Sequence, residues 1–181
     1  MFTEKGESVF QKGLECIQLS NPNLREVMSY FEQAAEQGHL EALFQVGYWN
    51  MYGEPQIMRN AKGAFECFEI CSERGISRAK QQLAFFYLWG MGIEKNEEKA
   101  VKLLEEAFSE GIYETASTLC HCFWQGVGVK RDISKARYYN GVAREMRLPG
   151  AEYDFIKLCS MTTDEWNKRY SSIGDKDGQE E

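Results

Sequence analysis

Residues 90 to 100 read "GMGIEKNEEKA" and residues 126 to 136 read "GVGVKRDISKA". The two stretches lie thirty-six residues apart, with Gly90/Gly126, Gly92/Gly128, Ile93/Val129, Asn96/Asp132, Lys99/Lys135 and Ala100/Ala136 in register. Alone, a glycine pair ahead of a charged turn looks like a phosphate loop, but neither stretch carries the Gly-Lys-Ser/Thr ending that such a loop needs. A loop that returns at a fixed period is architecture before it is chemistry.

The period extends outward. Gly75 and Gly111 are also thirty-six residues apart, and each follows a small residue by four positions, Cys71 and Ala107. Ala34 with Gly38 forms the same pair upstream, and Ala143 begins the next, with Arg147 where the glycine is expected. Four units result, at 5–38, 39–75, 76–111 and 112–147. Each reads as two helices because its apolar positions recur at helical rather than alternating spacing. "LEALFQVGYWNMY", "SRAKQQLAFFYLW" and "YETASTLCHCFWQ" are equivalent first helices; "AKGAFECFEICSERG", "NEEKAVKLLEEAFSEG" and "DISKARYYNGVAREM" are equivalent second helices. Small residues at Gly47, Ala84 and Cys120 in the first helix, and at Ala34, Cys71, Ala107 and Ala143 in the second, suit close helix crossings. Asn96 and Asp132 are expected to cap helix starts, and Gly38, Gly75 and Gly111 to supply the left-handed residue that ends a helix.

A small residue after an apolar one, a G-x-G turn, then K-A and A-x-x-x-G resembles the Sel-one-like repeat (SLR), a cousin of the tetratricopeptide repeat. The resemblance covers 5–147 and is most specific at 76–111 and 112–147; the unit at 39–75 has "GEPQIMRNAKGA" in place of the glycine turn. It implies an all-α, right-handed superhelical solenoid of antiparallel helix pairs. Past "RLPG" the pattern fails, and "AEYDFIKLCS" and "TDEWNKRY" read as a C-terminal capping helix pair, 148–170, the second opened by Thr162 and Glu165 at capping-box spacing. An array end must cover its apolar face, which gives such a cap its purpose. Residues 1–170 are then a single solenoid domain, and 171–181 a flexible acidic tail.

The family also implies where function lies, since first helices line a concave groove and present residues to a protein partner. Tetratricopeptide geometry, counted from the small residue of each first helix, projects three sets into that groove. They are Glu41, Phe44, Tyr48, Met51 and Tyr52; Arg78, Gln81, Phe85, Leu88 and Trp89; and Glu114, Ser117, His121, Trp124 and Gln125. Tyr48, Phe85 and His121 form one row, and Met51, Leu88 and Trp124 another, with Tyr52 and Trp89 beside them. A stripe so aromatic suits a binding hot spot, although aromatics at helical spacing also serve as core between helices.

The 181 residues, 43% of them hydrophobic, are ample for a core. A formal net charge of -7 and the absence of a basic stripe disfavour nucleic acid. The charged start "MFTEKGESVFQKG" does not read as a secretory signal, and the longest apolar run, "LAFFYLWGMGI", is too short to span a bilayer. Six cysteines without such a signal fit a reducing compartment, hence an expected cytoplasmic home. Some secreted relatives carry paired cysteines at fixed repeat positions; here only Cys71 sits at the recurring small position, so structural disulfides are not expected.

"CHC" at 120–122 invites a metal reading, but Cys120 and Cys122 point about 200 degrees apart on a helix. The only histidines, His39 and His121, do not fall into ligand spacing with a cysteine pair. No nucleophile motif is present, and Glu98 with Lys102 reads as a solvated helix face. The expectation is a non-enzymatic, monomeric adaptor or scaffold without metal or cofactor, binding another protein, and the family it resembles implies a bacterial source. Small stand-alone SLR proteins resemble accessories such as immunity proteins or chaperones, and an acidic surface suits a basic effector or toxin. The alternatives are an enzyme or metal protein centred on His121, and self-association through the aromatic groove.

Overall fold

The structure is a computed structural model, and it describes residues 6–53 and 57–148. The expected C-terminal helix pair and tail lie outside the described residues. Eight α-helices are present among them: α1 (Glu7–Ile17), α2 (Leu24–Glu36), α3 (Leu40–Tyr52), α4 (Ala61–Glu73), α5 (Ser77–Trp89), α6 (Glu97–Ser109), α7 (Ala116–Gln125) and α8 (Ile133–Glu145). There is no strand among the described residues. They pair as α1/α2, α3/α4, α5/α6 and α7/α8, and each pair packs on the next. This is the all-helical solenoid that the repeat period implies.

Each feature of the repeat has a structural cause. The Ala/Cys-x-x-x-Gly element closes the second helix. Gly38, Gly75 and Gly111 adopt φ of 91°, 88° and 96°. The next residue then turns its N–H back onto the small residue's carbonyl: His39 to Ala34 (3.1 Å), Ile76 to Cys71 (2.9 Å) and Ile112 to Ala107 (2.9 Å). This is a Schellman closure. In the fourth unit Arg147 itself adopts φ 54°, and Leu148 still donates to Ala143 at 2.8 Å. The turn thus survives where the sequence pattern breaks, because one hydrogen-bond pattern is worth a moderate left-handed strain.

Within a repeat, the side chains of Asn60, Asn96 and Asp132 accept from the backbone of Gly63, Lys99 and Lys135 at 3.0, 2.9 and 3.0 Å, capping α4, α6 and α8. The same three residues donate their own N–H to Asn50, Tyr87 and Phe123 of the preceding helix at 2.8, 2.9 and 2.8 Å. Asn60 is therefore tied to α3 as Asn96 and Asp132 are tied to α5 and α7, although the G-x-G is missing before it. Arg59 and Arg131 help, their Nε donating to the carbonyls of Tyr52 (2.7 Å) and Trp124 (3.0 Å) at the ends of α3 and α7.

The second glycine of G-x-G joins one repeat to the one before. A Cβ on Gly92 would touch Ala61 Cβ at 3.3 Å, at the start of α4. A Cβ on Gly128 would overlap the Glu97 carbonyl at the start of α6. Each loop therefore lies on the N-terminus of the preceding second helix, with no room for a side chain between.

Packing follows the small-residue series. Gly13 of α1, which extends the series Gly47, Ala84 and Cys120 by one unit, faces the Phe31 ring, and Gly47 faces Phe68. Three core clusters run along the chain, with Phe31, Phe68, Phe86, Leu104 and Leu119 almost wholly buried. One departure concerns "YETASTLCHCFWQ". Its first residues form a 3-10 turn, Tyr113–Thr115, before α7 begins. Buried Thr115 donates its hydroxyl to the Ile112 carbonyl at 2.8 Å, a side-chain bond that tightens the turn in place of a full α-helical start.

Candidate functional site

The first helices α3, α5 and α7 carry the expected binding residues, and the structure sorts these into two layers. The outer layer contains Tyr48, Tyr52, Arg78, Trp89, Glu114, His121 and Gln125, all exposed. Trp89 is 62% exposed, Tyr48 41% and Tyr52 43%. Glu41, Met51, Gln81, Phe85, Ser117 and Trp124 are half-buried. Phe44 and Leu88, expected in the groove, are instead core residues at 5% and 8% exposure. Helix geometry explains Leu88, because residues three positions after the outer row turn toward the second helix whereas those four positions after it stay outward; Phe44, four positions before Tyr48, is covered instead by Arg78 of α5 and Phe68 of α4. Met51, Leu88 and Trp124 all occupy the former position, and each packs against the core.

What remains is a row of aromatic pairs on the first helices, four residues apart on α3 and α5, each with at least one exposed ring. Tyr48 and Tyr52 have ring centroids 4.6 Å apart, and Phe85 and Trp89 stack at 4.9 Å with planes 23° apart. In the fourth repeat His121 meets Trp124 edge-on at 6.4 Å, and Gln125 replaces the second aromatic. Burial, then the neighbouring Tyr48, raises the pKa of Tyr52, so its phenol stays a neutral hydrogen-bonding group near pH 7. Arg78 of α5 reaches across to Glu41 of α3 at 2.7 Å, with its guanidinium 4.8 Å from the centre of the Phe44 ring. This bridge joins the two first helices side by side and seals Phe44 beneath.

The remaining chemistry-bearing residues do not converge. On α7, Cys120 is buried and donates to the Ala136 carbonyl of α8 at 2.8 Å. Cys122 is buried too, its thiol pushed up to about 11 by burial and then by Glu97 of α6. His121 between them faces outward. No three His, Cys, Asp or Glu side chains are placed to hold a metal ion among the described residues. His39 is a structural group: Nδ1 accepts from Ala42 N–H at 3.1 Å, capping α3, and Nε2 lies 2.8 Å from Glu7 of α1.

A second surface lies outside the expected set. Between α2, α3 and α4 opens a cleft of about 670 Å³, lined in part by Leu43 and Ile70. Ile70 is 45% exposed. Its signal in "AKGAFECFEICSERG" is an apolar residue out of register with the buried Ala64, Phe68 and Cys71.

Comparisons with known proteins agree with the architecture. The model of the Sel1 repeat matches residues 21–39, 40–75, 77–112 and 109–139. The chain is 25% identical over 145 residues to human (Homo sapiens) Protein sel-1 homolog 2, an alignment covering 78% of this chain and 21% of that protein. With the Mus musculus protein of the same name the identity is 26% over 144 residues, again 78% of this chain and 21% of the relative. The chain thus spans about a fifth of the length of the curated relatives it matches. The crystal structure of a Sel1 repeat protein from Oxalobacter formigenes superposes with a TM-score of 0.77 at 21% identity, covering 97% of this chain and 73% of that one, a likeness of fold. Sel1 repeat proteins act as protein–protein interaction scaffolds. Tandem helix pairs closed by the same small-residue-to-glycine turn, matched over most of their length by the repeat model, place this chain in the Sel1 repeat family.

Proposed function

We propose that this protein is a non-enzymatic adaptor that binds another protein through the row of aromatic pairs on α3, α5 and α7. The observation that carries the reading is the repetition of the Tyr48/Tyr52 and Phe85/Trp89 ring contacts at equivalent positions of successive repeats, with Tyr48, Tyr52 and Trp89 exposed. Single exposed aromatic rings are ordinary, whereas a set of them held on packed helices matches the anchors that dominate protein interfaces. In tetratricopeptide-like geometry first helices line the concave groove, which supports reading the row as part of one. A net charge of -7 favours a basic partner, and an effector or toxin held by an immunity protein or chaperone is the concrete form of that reading. Buried free thiols such as Cys71 and Cys122 suit the cytoplasm.

The test compares the wild type with a Tyr48→Ala/Tyr52→Ala/Trp89→Ala variant as bait in native lysate, followed by binding of the purified prey. These side chains are largely solvent-exposed, so the variant melts near wild type. A prey lost by the folded variant, with affinity falling by at least about 2 kcal/mol, supports the proposal. Equal capture by both baits refutes it.

A further inference from the structure

We infer that the cleft between α2, α3 and α4 is a second docking site, and that its occupant is a cationic amphipathic helix of a protein partner. The cleft, about 670 Å³, has a predominantly apolar lining formed by Ala35, Leu40, Leu43, Val46 and Ile70. It has the size and shape to take a few aliphatic side chains of a helix laid along it. Leu40, Leu43 and Val46 project about 160° away from Tyr48 and Tyr52 around α3, at 100° per residue. The cleft is therefore on the other side of the helix from the aromatic row, and the inference does not rest on that row.

The charge of the lining names the occupant. Against one guanidinium, Arg74, it sets two carboxylates, Glu32 and Glu36, one turn apart on α2 and both exposed. Neither carboxylate has a hydrogen-bond or ion-pair partner among the described residues. On α4, Glu66, Glu69 and Glu73 are exposed on the helix that also supplies the lining residue Ile70, and only Glu66 is paired, 4.0 Å from Lys62. The negative field reaches the helix interface: burial, then Glu66 of α4 and Glu32 of α2, hold the Cys67 thiol at about 11. An apolar trough with an acidic edge on α2, and further exposed carboxylates on α4, is complementary to a helix with Leu or Ile on one face and Lys or Arg on its flanks, whereas an acidic segment is repelled.

The probe is a fluorescein-labelled fourteen-residue Leu/Lys peptide with helical amphipathic spacing, and the readout is anisotropy against the whole protein. A Leu/Glu peptide of the same pattern is the control. Binding of the Leu/Lys peptide is expected to weaken about tenfold in Ile70→Ser, the loss of one well-buried aliphatic contact. It should weaken roughly three- to tenfold in Glu32→Gln/Glu36→Gln, an effect that shrinks at high salt. Neutralising two exposed carboxylates elsewhere, Glu94→Gln/Glu145→Gln, should change it less than about twofold, as should Tyr48→Ala/Trp89→Ala. If Ile70→Ser proves unstable by thermal melt, the carboxylate pair decides, since both side chains are exposed. The inference is overturned if the Leu/Lys peptide fails to bind, if the Leu/Glu peptide binds as well, if the remote pair matters as much as Glu32 and Glu36, or if binding is lost in the Tyr48/Trp89 variant instead.

Discussion

Replacing Gly128 with alanine places a methyl group against the neighbouring repeat rather than in solvent. The ideal Cβ falls on the Glu97 carbonyl and the Glu98 nitrogen, which are backbone atoms of the first turn of α6 and cannot rotate away. Gly111 offers the contrast, since a Cβ there has nothing within 4 Å. Both are left-handed, with φ of 66° at Gly128 and 96° at Gly111. Alanine in that region costs about 1 kcal/mol. Backbone strain alone ranks Gly111→Ala as the worse change, because 96° is farther from the left-handed optimum of about 57°. Sterics reverse that order. Forcing the 126–131 turn off α6 adds about 1–3 kcal/mol of overpacking, so Gly128→Ala should cost about 2–4 kcal/mol and Gly111→Ala about 1. Gly92→Ala, whose Cβ meets the methyl of Ala61 at 3.3 Å, belongs between them. In thermal melts followed by circular dichroism, Tm falls by about 3 °C for Gly111→Ala and about 6–12 °C for Gly128→Ala. Urea unfolding gives the same ranking as free energies. Equal losses, or a greater loss at Gly111, would refute the idea that the second glycine of G-x-G serves repeat stacking.

Arg147→Gly removes a left-handed strain of about 1–2 kcal/mol and adds about 0.5–1 kcal/mol of glycine entropy; the variant is expected to be more stable than wild type by up to about 1 kcal/mol in urea titrations, and a destabilised variant contradicts the strain. The Cys71 thiol, buried and donating to the Leu40 carbonyl, is pushed up to about 12, first by burial and then by Cys67 and Glu41. At pH 8 it should react with an aromatic disulfide reagent on the order of a thousandfold more slowly than after unfolding, and mass mapping of the labelled cysteine checks this. Because the folded thiol keeps a proton that the unfolded thiol loses, its contribution is whole below pH 9 and is lost from pH 9 toward 12. Stability should fall there by up to about 1.4 kcal/mol per pH unit for this group, and Cys71→Ala should flatten that slope. Phe86→Ala, at a wholly buried ring flanked by Phe65 and Phe68, should cost about 3–5 kcal/mol, while Trp89→Ala should change the urea midpoint little.

Much of the fold was legible in local chemistry. The thirty-six-residue return of glycine, cap residue and Lys-Ala announces the helix pairs, since a cap at Asn96 or Asp132 and a left-handed Gly75 or Gly111 each act over one turn of chain. The aromatic positions were legible as a list but not as a surface. Phe44 and Tyr48 look equivalent in a helical pattern, yet one lies under Arg78 and the other faces solvent. That division depends on where α4 and α5 sit, and side-chain spacing along α3 does not encode it.

The sequence by itself determined what is local and periodic: helix ends, turn closures, the small residues at crossings and the number of repeats. Tertiary structure alone decided what depends on two repeats meeting. It placed the Gly128 loop on the first turn of α6 and opened the cleft beside Ile70 between α2 and α4. The physical reason is range. Capping and turn formation involve atoms a few residues apart, so their signals lie in adjacent letters. Exposure and close approach are set by residues some thirty positions away, and no short window of sequence contains both partners.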